Sequence, residues 1–98
     1  MEETLTKTNE ETRLEPPKNW KVVLFNDDVT PFMYVVTVMH LVFRLEPVDA
    51  IGITSKAQED GSCVIGVYPK SIAESKIMQV ESMNKMSGYS LKITMEEE

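Results

Sequence analysis

Cysteine and histidine are almost missing from this sequence of 98 residues, which contains one of each, Cys63 and His40. A single cysteine cannot form an internal disulfide, and a single histidine leaves a metal site or a nucleophilic catalytic site without companion residues. The few glycines do not form a phosphate-binding loop. We therefore expect a protein that is not an enzyme, holds no metal or cofactor and works in a reducing cytoplasm.

Basic residues are also few, since 10 Lys and Arg stand against 16 Asp and Glu and give a net charge of -6. They are scattered, so the chain offers no basic patch to a phosphate backbone or to an anionic membrane surface. No apolar run approaches the roughly 18 residues of a spanning helix, and the first residues lack the pattern of a signal peptide. We therefore exclude nucleic acids and membranes as main partners.

Apolar residues are scarce in residues 1–17, where glutamates and threonines predominate and Pro16-Pro17 ends the run. Such a composition is typical of a flexible arm. From Trp20 onward the composition becomes apolar, and a chain of this length has room for one apolar core. We predict one folded domain over residues 18–96, and we expect a monomer.

The pattern of apolar and polar residues predicts six elements in the order β-α-α-β-α-β. Thr30 is a competent N-cap and Pro31 suits the first helical position. Gly61 and Gly88 supply left-handed stops for the second and third helices. The predicted elements are strands over 20–25, 62–68 and 89–95, and helices over 31–44, 47–59 and 71–86. This order predicts an α+β sandwich, in which helices cover one side of a three-stranded, mostly antiparallel sheet.

Hydrogen-bond acceptors gather in the turn between the first strand and the first helix, at Asn26, Asp27, Asp28 and Thr30. Carboxylate and amide oxygens beside an apolar helix can hold an ammonium group, because the apolar residues reduce competition from water. The alternative is an ordinary strand-to-helix turn, since turns rich in Asn and Asp also occur without a ligand. The spacing alone does not distinguish these two interpretations.

Two polar residues, Thr54 and Gln58, fall on the inward face of the second helix together with Ala50. Buried polar groups need partners. One interpretation is a partly wet pocket, apolar at its base and polar at its mouth, that suits a hydrophobic side chain with a free amine. The other is that Thr54 bonds the carbonyl one turn back and Gln58 lies at the surface.

Lys76 lies on the apolar face of the third helix, between Ile72 and Val80. The pattern favours a lysine whose stem packs on that face while its ammonium reaches water. The functional alternative is a docking contact, with Glu74 beside it.

Three runs in this sequence resemble one known family of protease adaptors, ClpS. The runs are Val22-Val23-Leu24-Phe25-Asn26-Asp27-Asp28-Val29-Thr30-Pro31, Gly66-Val67-Tyr68 and Ile72-Ala73-Glu74-Ser75-Lys76. The resemblance covers about residues 17–96 with its spacing preserved. It implies that the protein binds N-degrons, which are protein N-termini that begin with Phe, Tyr, Trp or Leu, and passes them to the ClpA unfoldase for degradation by ClpP. Residues 1–17 would be the arm used in delivery.

The resemblance also assigns roles by position. Asn26 and Asp28 would hold the α-amino group of the substrate, Asp27 would shape the turn, and Gln58 stands where the family usually has a histidine. The hydrophobic pocket would be lined by Thr30, Phe32, Val35, Thr54, Ala57 and Leu91. Glu74 and Lys76 would dock on the N-terminal domain of the unfoldase.

Several positions depart from the family pattern. Gln58 can accept a hydrogen bond but cannot titrate. Thr54 and Phe32 stand where methionines are usual, and Ser71 stands where a docking acid is common. These departures support a second hypothesis, a diverged docking protein that modulates the unfoldase without binding N-degrons. A third is a factor-recruiting domain like that of the ribosomal stalk protein, against which the acidic turn argues.

Overall fold

The computed structural model describes residues 18–98, so the arm predicted for residues 1–17 lies outside the described residues. The described chain forms β1 (Asn19–Phe25), α1 (Phe32–Phe43), α2 (Pro47–Asp60), β2 (Ser62–Pro69), α3 (Lys70–Ser87) and β3 (Ile93–Glu97). The predicted β-α-α-β-α-β order and the α+β class are confirmed.

β1 lies at the centre of the three-stranded sheet and pairs antiparallel with both β2 and β3. Its side chains alternate between the two faces. Val22 and Leu24 are at most 1% exposed and join the apolar core with the buried residues of the helices. Val23, between them, pairs with Val64 and Thr94; it is also buried, at 6% exposed, but lies outside that cluster. The central strand therefore holds all three helices on one face.

The helix ends follow the glycine and proline pattern, with one exception. Gly61 and Gly88 have φ values of 91° and 83° and end α2 and α3, as expected for residues without a Cβ in the left-handed region. The prediction of Thr30 as the N-cap of α1 is wrong, because Pro31 occupies that position. The Thr30 hydroxyl donates to Asp27 Oδ2 at 2.8 Å and is therefore used inside the turn.

The last strand begins later than predicted, at Ile93 instead of Tyr89. The preceding residues form a loop, 88–92, that packs beside the start of α1. The Tyr89 ring lies 4.7 Å from the Tyr34 ring at a tilt of 55°. Leu91 in this loop is 5% exposed. Its backbone pairs with a side-chain amide of α3, which replaces a partner strand at this position.

Candidate functional site

The acidic turn after β1 is organised by one carboxylate. Asp27 Oδ1 accepts hydrogen bonds from the backbone N–H groups of Val29 at 2.8 Å and Thr30 at 2.6 Å. The Thr30 N–H lowers the pKa of the Asp27 carboxyl below its ordinary value, against an opposing effect of burial. The Thr30 hydroxyl and the Val29 N–H add to the lowering. Asp27 therefore shapes the turn and carries a negative charge at neutral pH.

A cavity opens beside this turn, where β1, α1, α2 and the 88–92 loop meet. It is lined by Leu24, Phe25, Asn26, Asp27, Thr30, Phe32, Val35, Thr54, Ala57, Gln58 and Leu91. The structure thus brings together every substrate-binding residue named from the sequence except Asp28. Asp28 is exposed and does not line the cavity.

Thr54 satisfies both interpretations that its position allowed. It is 4% exposed, and its hydroxyl donates to the Ala50 carbonyl oxygen one helical turn back at 2.8 Å. Its side chain nevertheless lines the cavity. Gln58 is exposed in the last turn of α2, as the second interpretation expects, but it also lines the cavity with Thr54, as the first expects. Gln58 therefore borders the mouth of the cavity and not its base.

The cavity is narrow, with a volume of about 20 Å³. A space of this size holds about one water molecule. Its base is apolar, formed by Val35, Ala57 and Leu91, which are all buried. Phe32, the first residue of α1, is only partly buried and lies at its side. The free space is therefore small beside a leucine or phenylalanine side chain.

The wall formed by Leu91 is held in place by a residue that the sequence analysis missed, Asn84. Asn84 Nδ2 donates to the Leu91 carbonyl oxygen at 3.0 Å, and the Leu91 N–H donates to Asn84 Oδ1 at 3.4 Å. The same Oδ1 accepts a hydrogen bond from the Tyr34 hydroxyl at 2.9 Å. The only signal in the sequence is that Asn84 follows Val80 by four residues and so shares its inward face.

Lys76 and Glu74, which the resemblance assigned to partner docking, differ in their surroundings. Glu74 is exposed. The Lys76 ammonium donates to the Val42 carbonyl oxygen at 2.9 Å and lies 5.7 Å and 5.5 Å from the ring centres of Phe43 and Tyr68. Lys76 is partly buried, so the predicted packing of its stem is combined with a hydrogen bond from its ammonium inside the domain. The reason is the end of α1, whose unpaired carbonyls attract a cation.

The single histidine and the single cysteine, His40 and Cys63, do not line the cavity. His40 is exposed and donates from Nδ1 to the Leu45 carbonyl oxygen at 2.8 Å, and Cys63 in β2 is partly buried. Within residues 18–98, no three His, Cys, Asp or Glu side chains are grouped in a way that could hold a metal ion. In the same part of the chain, every helix is too short or too polar to cross a bilayer.

Residues 15–94 match the family model described as ATP-dependent Clp protease adaptor protein ClpS. The fold, the cavity and this match define the class as that of the protease adaptors, which are not catalytic proteins. The chain belongs to the ClpS family.

Known members support this assignment over most of the chain. The ATP-dependent Clp protease adapter protein ClpS of Nautilia profundicola is 38% identical over 94 residues, which cover 96% of this chain and 97% of that protein. The protein of the same name from Clostridium acetobutylicum is 40% identical over 85 residues, or 87% of this chain and 84% of that protein. The structure of Agrobacterium tumefaciens ClpS2 bound to L-phenylalaninamide is 36% identical, with a TM-score of 0.81, over 85% of this chain and 100% of that chain.

Proposed function

We propose that this protein is a cytoplasmic, monomeric adaptor that binds N-degrons and delivers them to a ClpA-type unfoldase for degradation by ClpP. The degrons are N-termini that begin with Phe, Tyr, Trp or Leu. The observation that carries the proposal is the cavity with an apolar base and a mouth lined by Asn26 and Asp27. A free N-terminus with a large side chain needs both parts at once, an acceptor for its ammonium and an apolar space for its side chain.

The α-amino group is assigned to the polar mouth. A carboxylate offers about four acceptor positions, and the three hydrogen bonds within the turn leave Asp27 with about one of them. The backbone of Asn26 is held in place because its N–H donates to the Gly61 carbonyl oxygen at 3.0 Å. Gln58 also lines the cavity, and its amide oxygen would be a further acceptor. Charged hydrogen bonds of this kind are the strong ones in recognition.

The hydrophobic side chain is assigned to the space between Phe32, Val35, Thr54, Ala57 and Leu91. The related ClpS2 was solved with L-phenylalaninamide, whose name gives a phenylalanine side chain on a free α-amino group. That protein has the same fold as this chain, which supports a phenylalanine-sized occupant here. Because the cavity is narrow, binding would include an outward movement of its walls.

Delivery is assigned to the surface around Glu74. Glu74 is exposed and lies in a shallow depression with Lys18, Trp20, Lys70 and Ser71. This surface would dock on the N-terminal domain of the unfoldase. Lys76 would support it by holding α3 against α1, since its ammonium is already bonded inside the domain.

The proposal is tested by titrating a fluorescent peptide that begins with Phe, and its N-acetylated twin, against the full chain. Acetylation removes the charge and should weaken binding at least tenfold, because a hydrogen bond to a charged group contributes about 1.5–3 kcal/mol. Equal affinity for the two peptides would contradict amine recognition.

Two variants decide which aspartate is used. Asp27→Asn should weaken binding about tenfold, whereas Asp28→Asn, which removes the same charge from an exposed neighbour, should change it by less than about twofold. The opposite result would assign the binding of the α-amino group to Asp28, as the resemblance implied. Circular dichroism and thermal unfolding of each variant show whether the domain stays folded.

A second candidate function is a docking protein that modulates the unfoldase without binding N-degrons. The narrow cavity and the glutamine at its mouth favour it. Measurable binding to the unfoldase, with no binding of any free N-terminal peptide, would support this alternative. Tight binding of the Phe peptide would exclude it.

A further inference from the structure

A second groove continues from the mouth of the cavity, on the side of the 88–92 loop. It shares Phe25, Asn26, Asp27 and Thr30 with the cavity, and its lining adds Tyr89 and Lys92 of the 88–92 loop. Its volume is about 410 Å³, which lies in the range of about 300–1,000 Å³ that is usual for ligand pockets. The groove is therefore much larger than the cavity and opens directly from it.

The groove carries one cation at its outer end. Lys92 is exposed, and its ammonium lies 4.9 Å from the centre of the Phe25 ring. Among residues 18–98 the ion pairs are Lys18 with Glu97 and Lys56 with Asp60, so no described carboxylate pairs with Lys92.

The negative charges near the groove do not offset this cation. Asp27 lies on the opposite wall and is largely used by the turn. Asp28 is exposed and lines neither the groove nor the cavity. The ammonium of Lys92 is thus the available charge for a ligand that lies in the groove.

The groove offers a path for a peptide whose first residue occupies the cavity, because the two spaces share lining residues. The α-amino group of this peptide would lie at Asn26 and Asp27, which belong to both spaces, and its first side chain would lie in the cavity. Successive residues of an extended chain are about 3.3–3.6 Å apart. The second and third residues would therefore lie between the turn and the 88–92 loop.

We propose that this groove binds the second and third residues of the degron, and that Lys92 selects an acidic side chain there. This inference rests on the proposed function, because it takes the position of the first residue from it. The occupant is a peptide whose carboxylate side chain complements the one available cation of the groove.

The test uses free peptides that begin with Phe and carry Glu, Gln or Lys at the second or third position. The full chain should bind the Glu peptide about two- to fivefold more tightly than the Lys peptide, as expected for one exposed charge pair. Lys92→Gln should remove this preference, and Lys92→Glu should reverse it. Raising the salt concentration should reduce the difference.

Lys85→Glu is the matched control. Lys85 is also an exposed lysine, but it lies outside the groove. This variant should leave the order of affinity for the three peptides unchanged. If Lys92→Glu keeps the wild-type order of affinity for the Glu, Gln and Lys peptides while the Gln peptide binds normally, the charge selection is overturned and the proposed function stands. If acetylated and free Phe peptides bind equally, the proposed function fails and this inference fails with it.

Discussion

The Lys76 ammonium donates a hydrogen bond to the Val42 carbonyl oxygen, 2.9 Å away, across 34 positions of the sequence. Val42 lies in the last turn of α1, where carbonyl groups lack helical partners. The Phe43 and Tyr68 rings lie close to the same ammonium and add attraction through their faces. One side chain of α3 therefore joins the end of α1 to β2.

Lys76→Met should lower the free energy of unfolding by about 1.5–3 kcal/mol, because a hydrogen bond to a charged group is lost while the stem can still pack. Urea denaturation at neutral pH measures this change. The control is Lys85→Met, which alters an exposed lysine of the same helix and should cost less than about 0.5 kcal/mol. Equal stability of the two variants would contradict a structural role for Lys76. Binding of Lys76→Met to the unfoldase should therefore be measured at a temperature where the variant is fully folded.

Asp27 should make stability depend on pH in the acidic range. Its pKa is lowered in the folded protein, so its contribution is present above the unfolded pKa of about 3.9 and is lost as the pH falls through the lower folded value. The difference in free energy of unfolding between the wild type and Asp27→Asn should therefore shrink below about pH 4. Thr30→Val, which removes only the hydroxyl donor, should show a smaller effect. A difference that stays constant from pH 6 to about pH 2 would argue against this assignment.

Asn84→Ala should affect both stability and peptide binding. It removes the partner of the Tyr34 hydroxyl and of the Leu91 backbone, at a cost of about 1–3 kcal/mol. It also leaves the Leu91 backbone without a fixed position, so the wall that packs on a bound side chain is no longer preorganised, and the affinity for the Phe peptide should fall. Tyr34→Phe removes the hydroxyl alone and should leave that affinity nearly unchanged. Equal loss of peptide binding in the two variants would show that the contact with Leu91 does not set the wall.

Thr54→Ala should change the preference of the cavity among first residues. The shorter side chain widens a space of about 20 Å³, so binding of a Trp peptide should improve relative to a Leu peptide. The change should be about tenfold or more, since the variant removes a methyl and a hydroxyl and one methylene in a pocket is already worth about 10–200-fold. Thr54→Val keeps the volume and should keep the wild-type ratio. An unchanged ratio in Thr54→Ala would mean that Thr54 does not limit the cavity.

The prediction from sequence succeeded where neighbours along the chain decide the structure. The order of elements and the stops at Gly61 and Gly88 follow from periodicity and backbone preference. The start of α1 was predicted wrongly because the Thr30 hydroxyl could either cap the helix or bond within the turn. In the structure it donates to Asp27. The late start of β3 depended on Asn84, whose amide pairs with Leu91 in place of a strand.

The candidate site was less predictable from residue patterns. The acidic turn is contiguous, so its acceptors could be recognised as a group. A pocket beside Thr54 was one of two interpretations of the second helix, whereas Leu91 came only from the resemblance. Tyr34 and Asn84 were missed because their hydrogen bond joins residues 50 positions apart. Nothing in the local pattern of either helix indicates that contact.

The amino-acid sequence by itself determined the six elements, their stops and a turn rich in acceptors, because these depend on residues within one or two helical turns of each other. The tertiary structure decided that Asp27 and not Asp28 lines the cavity, that Lys76 bonds the end of α1, and that the cavity is narrow. Each of these depends on how side chains from distant elements fill a shared space, since close packing leaves few alternatives once the backbone is placed.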